Sequence, residues 1–329
     1  MTPKQRLSRA VAYEEVDRAP AGLFGTHTDY EEALARHIGA SSIEAMYLEL
    51  GVDIWHSKVG LRYKGEGNPL GSTPENPHPF ARMTTIDEVE AYPFPGPEDF
   101  DATELVAHLR DHQEFAVCGG INSAIYHHYL GLCGQENALC FLKQQPDVAK
   151  AMIGRITDYF VVYLRQVLEA GDGLIDMVEN CNDFGTQRSM FISAEDFREF
   201  FREPLKQMYD LAKEHDVFYM QHSCGSVGPI IDDFIEMGAD ILNPIQVEAD
   251  GMDIEDLVER YKGRITFYGG IDTQRLLPHG PEALIRSEVS RLIGYFGTGG
   301  GLIMGGSQGL LEDIPYDHAV AMLDQNLSG

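Results

Sequence analysis

Val217-Phe218-Tyr219-Met220-Gln221-His222-Ser223-Cys224-Gly225 carries the chain from a buried strand into a helix. The first part is a short, mostly apolar run of β-forming residues. Beyond Gly225, Val227, Ile230, Ile231, Phe234 and Ile235 recur at i, i+3, i+4, i+7 and i+8, a helical stripe that stops at Gly238. Strand side chains repeat every second residue, so His222 and Cys224 project to the same side. Both are donors that zinc prefers. The helix N-terminus that follows favours the thiolate form of Cys224.

Outward from this segment the same alternation repeats. Strands are expected at Ala21–Gly25, Val52–Ser57, Phe115–Gly119, Leu174–Glu179, Val217–Gln221, Asp240–Asn243, Ile265–Gly269 and Gly301–Gly305. Helices are expected near Tyr30–Leu50, Ala138–Ala170, Ala194–Glu214, Pro229–Met237, Ile254–Tyr261, Pro281–Phe296 and Tyr316–Leu327, and Ser193-Ala194-Glu195-Asp196 reads as a capping box. Eight strands with intervening helices predict an α/β fold, a (β/α)8 TIM barrel. A doubly wound open sheet would carry a glycine-rich nucleotide turn after its first strand, and none is present. Lys64–Phe100, rich in Gly and Pro, reads as a loop insertion after strand two, a lid or a mouth-lining loop. One domain spanning 1–329 is expected.

The chain has 25 basic and 52 acidic residues, a net charge of -27. That balance excludes nucleic acid as the expected partner, because phosphates need a positive field. It suits solubility or a basic partner protein. No apolar run reaches the roughly 18 residues of a membrane span, and no signal-peptide core follows Met1. Five cysteines at 118, 133, 140, 181 and 224 lack a disulfide spacing, which fits a reducing cytoplasm.

In a barrel the chemistry gathers at the carboxyl ends of the strands, and those positions are polar here. They hold Thr26, His27 and Asp29; His56; Asn122 and Tyr126; Glu179-Asn180-Cys181-Asn182-Asp183; His222 and Cys224; Asn243 and Gln246; Asp272 and Gln274; Ser307 and Gln308. Taken singly, each is ordinary loop polarity. His127, His128, His279 and His318 read as surface or helix residues, and Cys118, Cys133 and Cys140 as small apolar core or interface residues. His222 and Cys224 stand out by joint placement. A catalytic zinc site needs three protein ligands and an open position. Glu179 is the leading third ligand, since strand four neighbours strand five, with Cys181, Gln246, Asp272 and Gln308 as alternatives.

The chain resembles the uroporphyrinogen decarboxylase-like superfamily, in particular its corrinoid-dependent (cobamide) methyltransferase branch. The likeness rests on Lys4-Gln5-Arg6-Leu7, Asp17-Arg18-Ala19-Pro20, Asn182-Asp183-Phe184-Gly185-Thr186-Gln187 and His222-Ser223-Cys224-Gly225. It continues in Gly238-Ala239-Asp240-Ile241-Leu242-Asn243-Pro244-Ile245-Gln246 and in Tyr268-Gly269-Gly270-Ile271-Asp272-Thr273-Gln274. True porphyrinogen decarboxylases bear arginine after strand one, where this chain reads Leu23-Phe24-Gly25-Thr26-His27-Thr28-Asp29. A polyanionic porphyrinogen would lack its counter-charges there. The branch holds zinc with a His-x-Cys pair and a distant cysteine near strand eight, and here that stretch reads Met304-Gly305-Gly306-Ser307-Gln308-Gly309. A His/Cys/Glu set is a harder Lewis acid, suited to an oxygen substrate.

The resemblance therefore implies a methyltransferase moving a methyl group from a small donor, an O-methyl ether, to the cob(I)amide of a separate corrinoid protein. His222, Cys224 and Glu179 would hold zinc. Glu179, Asp183 and Asp272 would be catalytic, and His27, His56, Asn122, Tyr126, Gln246 and Gln308 would bind substrate. A homodimer is also implied. A lyase acting on a smaller carboxylate, or a non-catalytic ligand-binding barrel, is the alternative.

Overall fold

Seven short strands form one parallel sheet in the computed structural model, which describes residues 1–119, 124–296 and 298–328. They are β1 (Ile54–His56), β2 (Ala116–Gly119), β3 (Met177–Cys181), β4 (Phe218–His222), β5 (Ile241–Ile245), β6 (Thr266–Gly269) and β7 (Leu302–Ile303), each paired with the next. Parallel bridges Ala21–Met304 and Gly22–Ile54 lie between β7 and β1 and close the curled sheet. Surrounding helices complete an α/β fold of the (β/α)8 type.

The expected first strand shrinks to those two bridging residues. Pro20 has no N–H to give a ladder and only accepts, from Met304 N at 2.7 Å. Gly22 has no room for a side chain, because an added Cβ would run into the Tyr268 ring. The barrel interior is a separate apolar cluster of Ile54, Ala116, Cys118, Met177, Met220, Ile241, Tyr268 and Ile303. Leu7 and Val11 of the helix Pro3–Val11 pack into it. That helix starts with a full capping box, Thr2 with Gln5, and Pro3 at its first position.

Asp17-Arg18-Ala19-Pro20 has a structural role. Asp53, 1% exposed, receives Arg6 Nη1 at 2.5 Å, Arg18 Nη1 at 2.7 Å and Ala21 N at 2.9 Å. Arg6 also holds Asp17 at 2.7 Å. This knot ties the first helix and the closing residues to the start of β1.

Several expected helices are broken. Tyr30–Leu50 divides into Thr28–Ile38 and Ile43–Leu50, where Gly39 takes φ 80 and Ser42 caps the second piece. Ala138–Ala170 divides at Gln145-Pro146, where the ring restricts the residue before it. Ala194–Glu214 divides at Phe201. At the start of the first piece Ser193 Oγ accepts from Asp196 N at 3.0 Å, and the Asp196 carboxylate interacts with Ser193 and pairs with Lys143 at 2.5 Å.

Lys64–Phe100 is bracketed by an antiparallel ribbon, Arg62–Tyr63 with Phe100–Asp101, and contains the helix Ile86–Glu90. Phe80, Tyr92 and Phe94 pack edge to face, and Phe94 reaches Tyr159 on the long helix Pro146–Ala170. The segment is thus anchored to the outer helices. Among the described residues, no helix is long and apolar enough to cross a membrane.

Candidate metal centre and active site

His222 ends β4 between Cys181 of β3 and Asn243 of β5, its partners in register. Its Nδ1–H donates to Asn243 Oδ1 at 2.6 Å, and Nε2 faces Cys224 Sγ at 3.2 Å and Asp183 Oδ1 at 3.3 Å. The ligand atoms of Asp183, His222 and Cys224 all lie within 4.8 Å of one another. The pair read from the sequence is therefore joined by Asp183.

Two glycines make this possible. Gly225 has φ 82, and a Cβ there would lie 2.5 Å from Thr186 O; a Cβ on Gly185 would lie 2.6 Å from Cys224 O. The loops after β3 and β4 therefore touch backbone to backbone. Cys224 N then donates to Asp183 Oδ1 at 2.8 Å, Phe184 N to Ser223 Oγ at 3.0 Å, and Ser226 N to Thr186 O at 2.8 Å. Gln246 Oε1 accepts from Gly225 N at 2.7 Å and locks the turn.

Glu179 lies elsewhere. It sits level with Met220, one inward-facing position below the Cys181–His222 rung. There it joins a second group with His56 and Cys118. His56 Nδ1 is 3.3 Å and Cys118 Sγ 3.4 Å from Glu179 Oε2, and His56 Nε2 is 3.0 Å from the Tyr268 hydroxyl. Phe24 separates the groups, its ring 4.8 Å from His222 and 5.3 Å from His56. The pairing His56↔Cys118 was within reach of sequence reasoning, because both occupy inward positions at the ends of neighbouring strands. Cys118 also belongs to the buried apolar cluster, which agrees with its reading as a small core residue.

The remaining expected residues are scattered. Gln308 Nε2 contacts Cys224 Sγ and so lies at the upper group. Tyr126 is buried, stacks on Phe184 at 4.7 Å and donates its N–H to Asn182 Oδ1, a supporting role. His27 lies on the surface beside a cavity of about 310 Å³ lined also by Asp29, Tyr30, Glu312 and Asp313. Asp272 accepts from Gln274 N at 2.6 Å and Arg275 N at 2.8 Å. Its neighbour Glu248, unremarked in the sequence, accepts from Ser307 Oγ at 3.3 Å. Asn122 falls outside the described residues.

The electrostatics couple the upper group. Burial opposes the charged forms of both His222 and Asp183. Even so, Cys181, Asp183 and Cys224 hold the imidazole well above its ordinary pKa. Bonds from His222 and the Cys224 N–H, with His127 nearby, hold Asp183 well below the usual carboxylate range. Burial pushes the Cys181 thiol up to about 12. Burial also raises Glu248, and its bond to Asp272 helps take it to about 7.

The donors fit zinc. With Zn–N and Zn–O near 2.0–2.2 Å and Zn–S near 2.3 Å, tetrahedral neighbours stand about 3.3–3.6 Å apart. The observed 3.3 Å and 3.2 Å are close to that spacing. The Nδ1–H bond to Asn243 leaves Nε2 as the donor, the usual outer support of a metal-binding imidazole. For zinc held at Nε2, Asn243→Ala should weaken binding about 10- to 100-fold, measured by competition with a chromogenic chelator; unchanged affinity would exclude this support.

A family model described as Uroporphyrinogen decarboxylase (URO-D) matches residues 63–326. The uroporphyrinogen decarboxylase of Proteus mirabilis (strain HI4320) is 22% identical over 279 residues, 81% of this chain and 72% of the relative. That of Flavobacterium johnsoniae is 29% identical over 189 residues, 56% of this chain and 49% of the relative. Among solved structures, a methyltransferase from Methanosarcina mazei is similar in fold, with a TM-score of 0.73 at 16% identity, covering 100% of this chain and 99% of that one.

Proposed function

The chain belongs to the uroporphyrinogen decarboxylase (URO-D) family, and from that premise we propose that it is a zinc-dependent methyltransferase that demethylates a small O-methyl donor, with a corrinoid on a separate protein as acceptor. The observation that carries this reading is the Asp183–His222–Cys224 group, a zinc donor set at the strand ends. The likeness in fold to a methyltransferase supports it. Asp183, His222 and Cys224 would hold the metal, and zinc there supplies Lewis-acid stabilisation of the leaving oxygen.

This chain's own residues do the rest. Asn243 fixes the imidazole tautomer, and Gln246 fixes the turn that carries Cys224. Gln308 donates to the Cys224 sulfur and tempers its charge. Phe24 forms an apolar wall against His222. Glu248 and Asp272 titrate as a pair, and Glu248 holds a proton near neutral pH. Ser307 links that carboxyl to the segment bearing Gln308. In this reading Glu248 supplies the proton to the departing alkoxide.

With Glu248 raised to about 7, the acid is available below that pH and turnover should fall about tenfold per pH unit above it. Glu248→Gln should lower the rate on the order of 10²-fold and flatten that limb. A carboxyl raised from 4.5 to about 7 contributes stability at low pH that is lost as pH rises through about 7. The Gln variant should therefore gain thermal stability relative to wild type at pH 8. A pH–rate profile that keeps its alkaline limb in the variant would remove Glu248 from this role.

A second reading, a lyase acting on a carboxylate smaller than uroporphyrinogen, is favoured by the family model and by the naming of the curated relatives as decarboxylases. The two separate on one experiment. Zinc-loaded and chelator-stripped protein are each given methyl ethers with cob(I)alamin, and small carboxylic acids with detection of released carbon dioxide. Zinc-dependent methylation of the corrinoid supports the first reading. Metal-independent release of carbon dioxide, without methylation, replaces it with the second.

A further inference from the structure

We propose that His56, Cys118 and Glu179 form a second divalent-metal site of the zinc class, inside the barrel and one layer below the Asp183–His222–Cys224 group. Nothing in the proposed reaction requires it, so it stands or falls separately.

The three donors come from the three consecutive strands β1, β2 and β3, and all face the barrel interior. The interior positions around them are filled by Ile54, Ala116, Met177 and Met220. A thiol, an imidazole and a carboxyl converging in such a layer depart from its apolar pattern. Their ligand atoms all lie within 4.8 Å of one another. The separations, 3.3 Å from nitrogen to oxygen and 3.4 Å from sulfur to oxygen, match the roughly 3.3–3.6 Å edges of a tetrahedral zinc centre.

The support of the imidazole matches the upper group. His222 turns Nε2 inward and gives Nδ1 to Asn243, whereas His56 turns Nδ1 inward and gives Nε2 to Tyr268 at 3.0 Å. Tyr268 is itself fixed, since its hydroxyl accepts from Phe24 N at 3.2 Å and its ring is buried. Each histidine thus faces its group with one ring nitrogen and is held by an outer partner through the other.

Charge and softness select the ion. A thiolate and a carboxylate neutralise one divalent cation, which limits the cost of burying it. A sulfur donor favours zinc or cobalt(II) over magnesium and calcium. The His56 and Glu179 side chains are 11% and 15% exposed, so solvent reaches the group while Cys118 is closed off. Burial, with Glu179 beside it, pushes the Cys118 thiol well above its ordinary pKa. Without a cation it therefore stays protonated and donates to Glu179.

The test is metal stoichiometry by native mass spectrometry on the full chain, titrated with zinc alone and with cobalt(II) alone. Wild type should take up two equivalents and Cys224→Ala one. In the Cys224→Ala background, Cys118→Ser should abolish the thiolate-to-cobalt absorption band. In the same background Glu179→Gln should weaken zinc more than about tenfold, and zinc should raise the melting temperature only while Cys118 is intact. Glu179→Gln keeps the question answerable if Cys118→Ser does not fold, with circular dichroism as the check. The proposal is overturned if natively folded Cys224→Ala binds no zinc. It is equally overturned if the metal it retains is indifferent to both Cys118→Ser and Glu179→Gln.

Discussion

Cys224→Ala is expected to fold, to lose one equivalent of zinc per chain and to lose turnover by on the order of 10³-fold. Lewis-acid stabilisation of a poor leaving group contributes several kcal/mol, and each 1.4 kcal/mol is about tenfold in rate. Folding should survive because the Cys224 side chain is only partly buried. Its N–H bond to Asp183 at 2.8 Å also belongs to the backbone and is unaffected by the substitution. Asp183→Asn should move in the same direction by less, since an amide oxygen keeps the hydrogen bond but is a weaker donor. Metal content by plasma emission and single-turnover methyl transfer, measured on the same preparations, decide the matter. A Cys224→Ala protein with wild-type turnover would end the case for a metal at His222.

The largest effect on stability is expected at Asp53. Its side chain is 1% exposed and is contacted by Arg6, 7% exposed, and Arg18, 14% exposed. Removing one member of a buried charge cluster costs about 3–5 kcal/mol, because the remaining charges stay buried without their partner. Asp53→Asn should thus lower the melting temperature by about 4–7 °C. Thermal unfolding followed by circular dichroism measures it. A melting temperature within experimental error of wild type would show that the two guanidinium groups find water or Asp17 instead.

The strands were largely legible because each is a short β-rich run beside a helical stripe. Both periods are local properties of the chain. Helix ends were less legible: the division at Gln145-Pro146 follows from a proline, whereas that at Phe201 has no strong local signal. Cys118 is buried in the core, as a free cysteine in an apolar strand is expected to be, but nothing local signals the polar groups it meets there. Its partners, His56 and Glu179, lie 62 and 61 residues away in the chain and meet it only when the sheet curls.

The sequence by itself determined that His222 and Cys224 share one side of the chain, because residues two apart at a strand end do so whatever the tertiary fold. It also determined the alternation that makes a barrel. Only the tertiary structure decided which carboxylate completes the upper group. The register Glu179↔Met220 and Cys181↔His222 sets Glu179 one layer too deep. The contact of Gly185 with the turn at Cys224 and Gly225 swings Asp183 across instead. Register and loop-to-loop contact are long-range properties, fixed by packing between segments about 40 residues apart, and no local pattern encodes them.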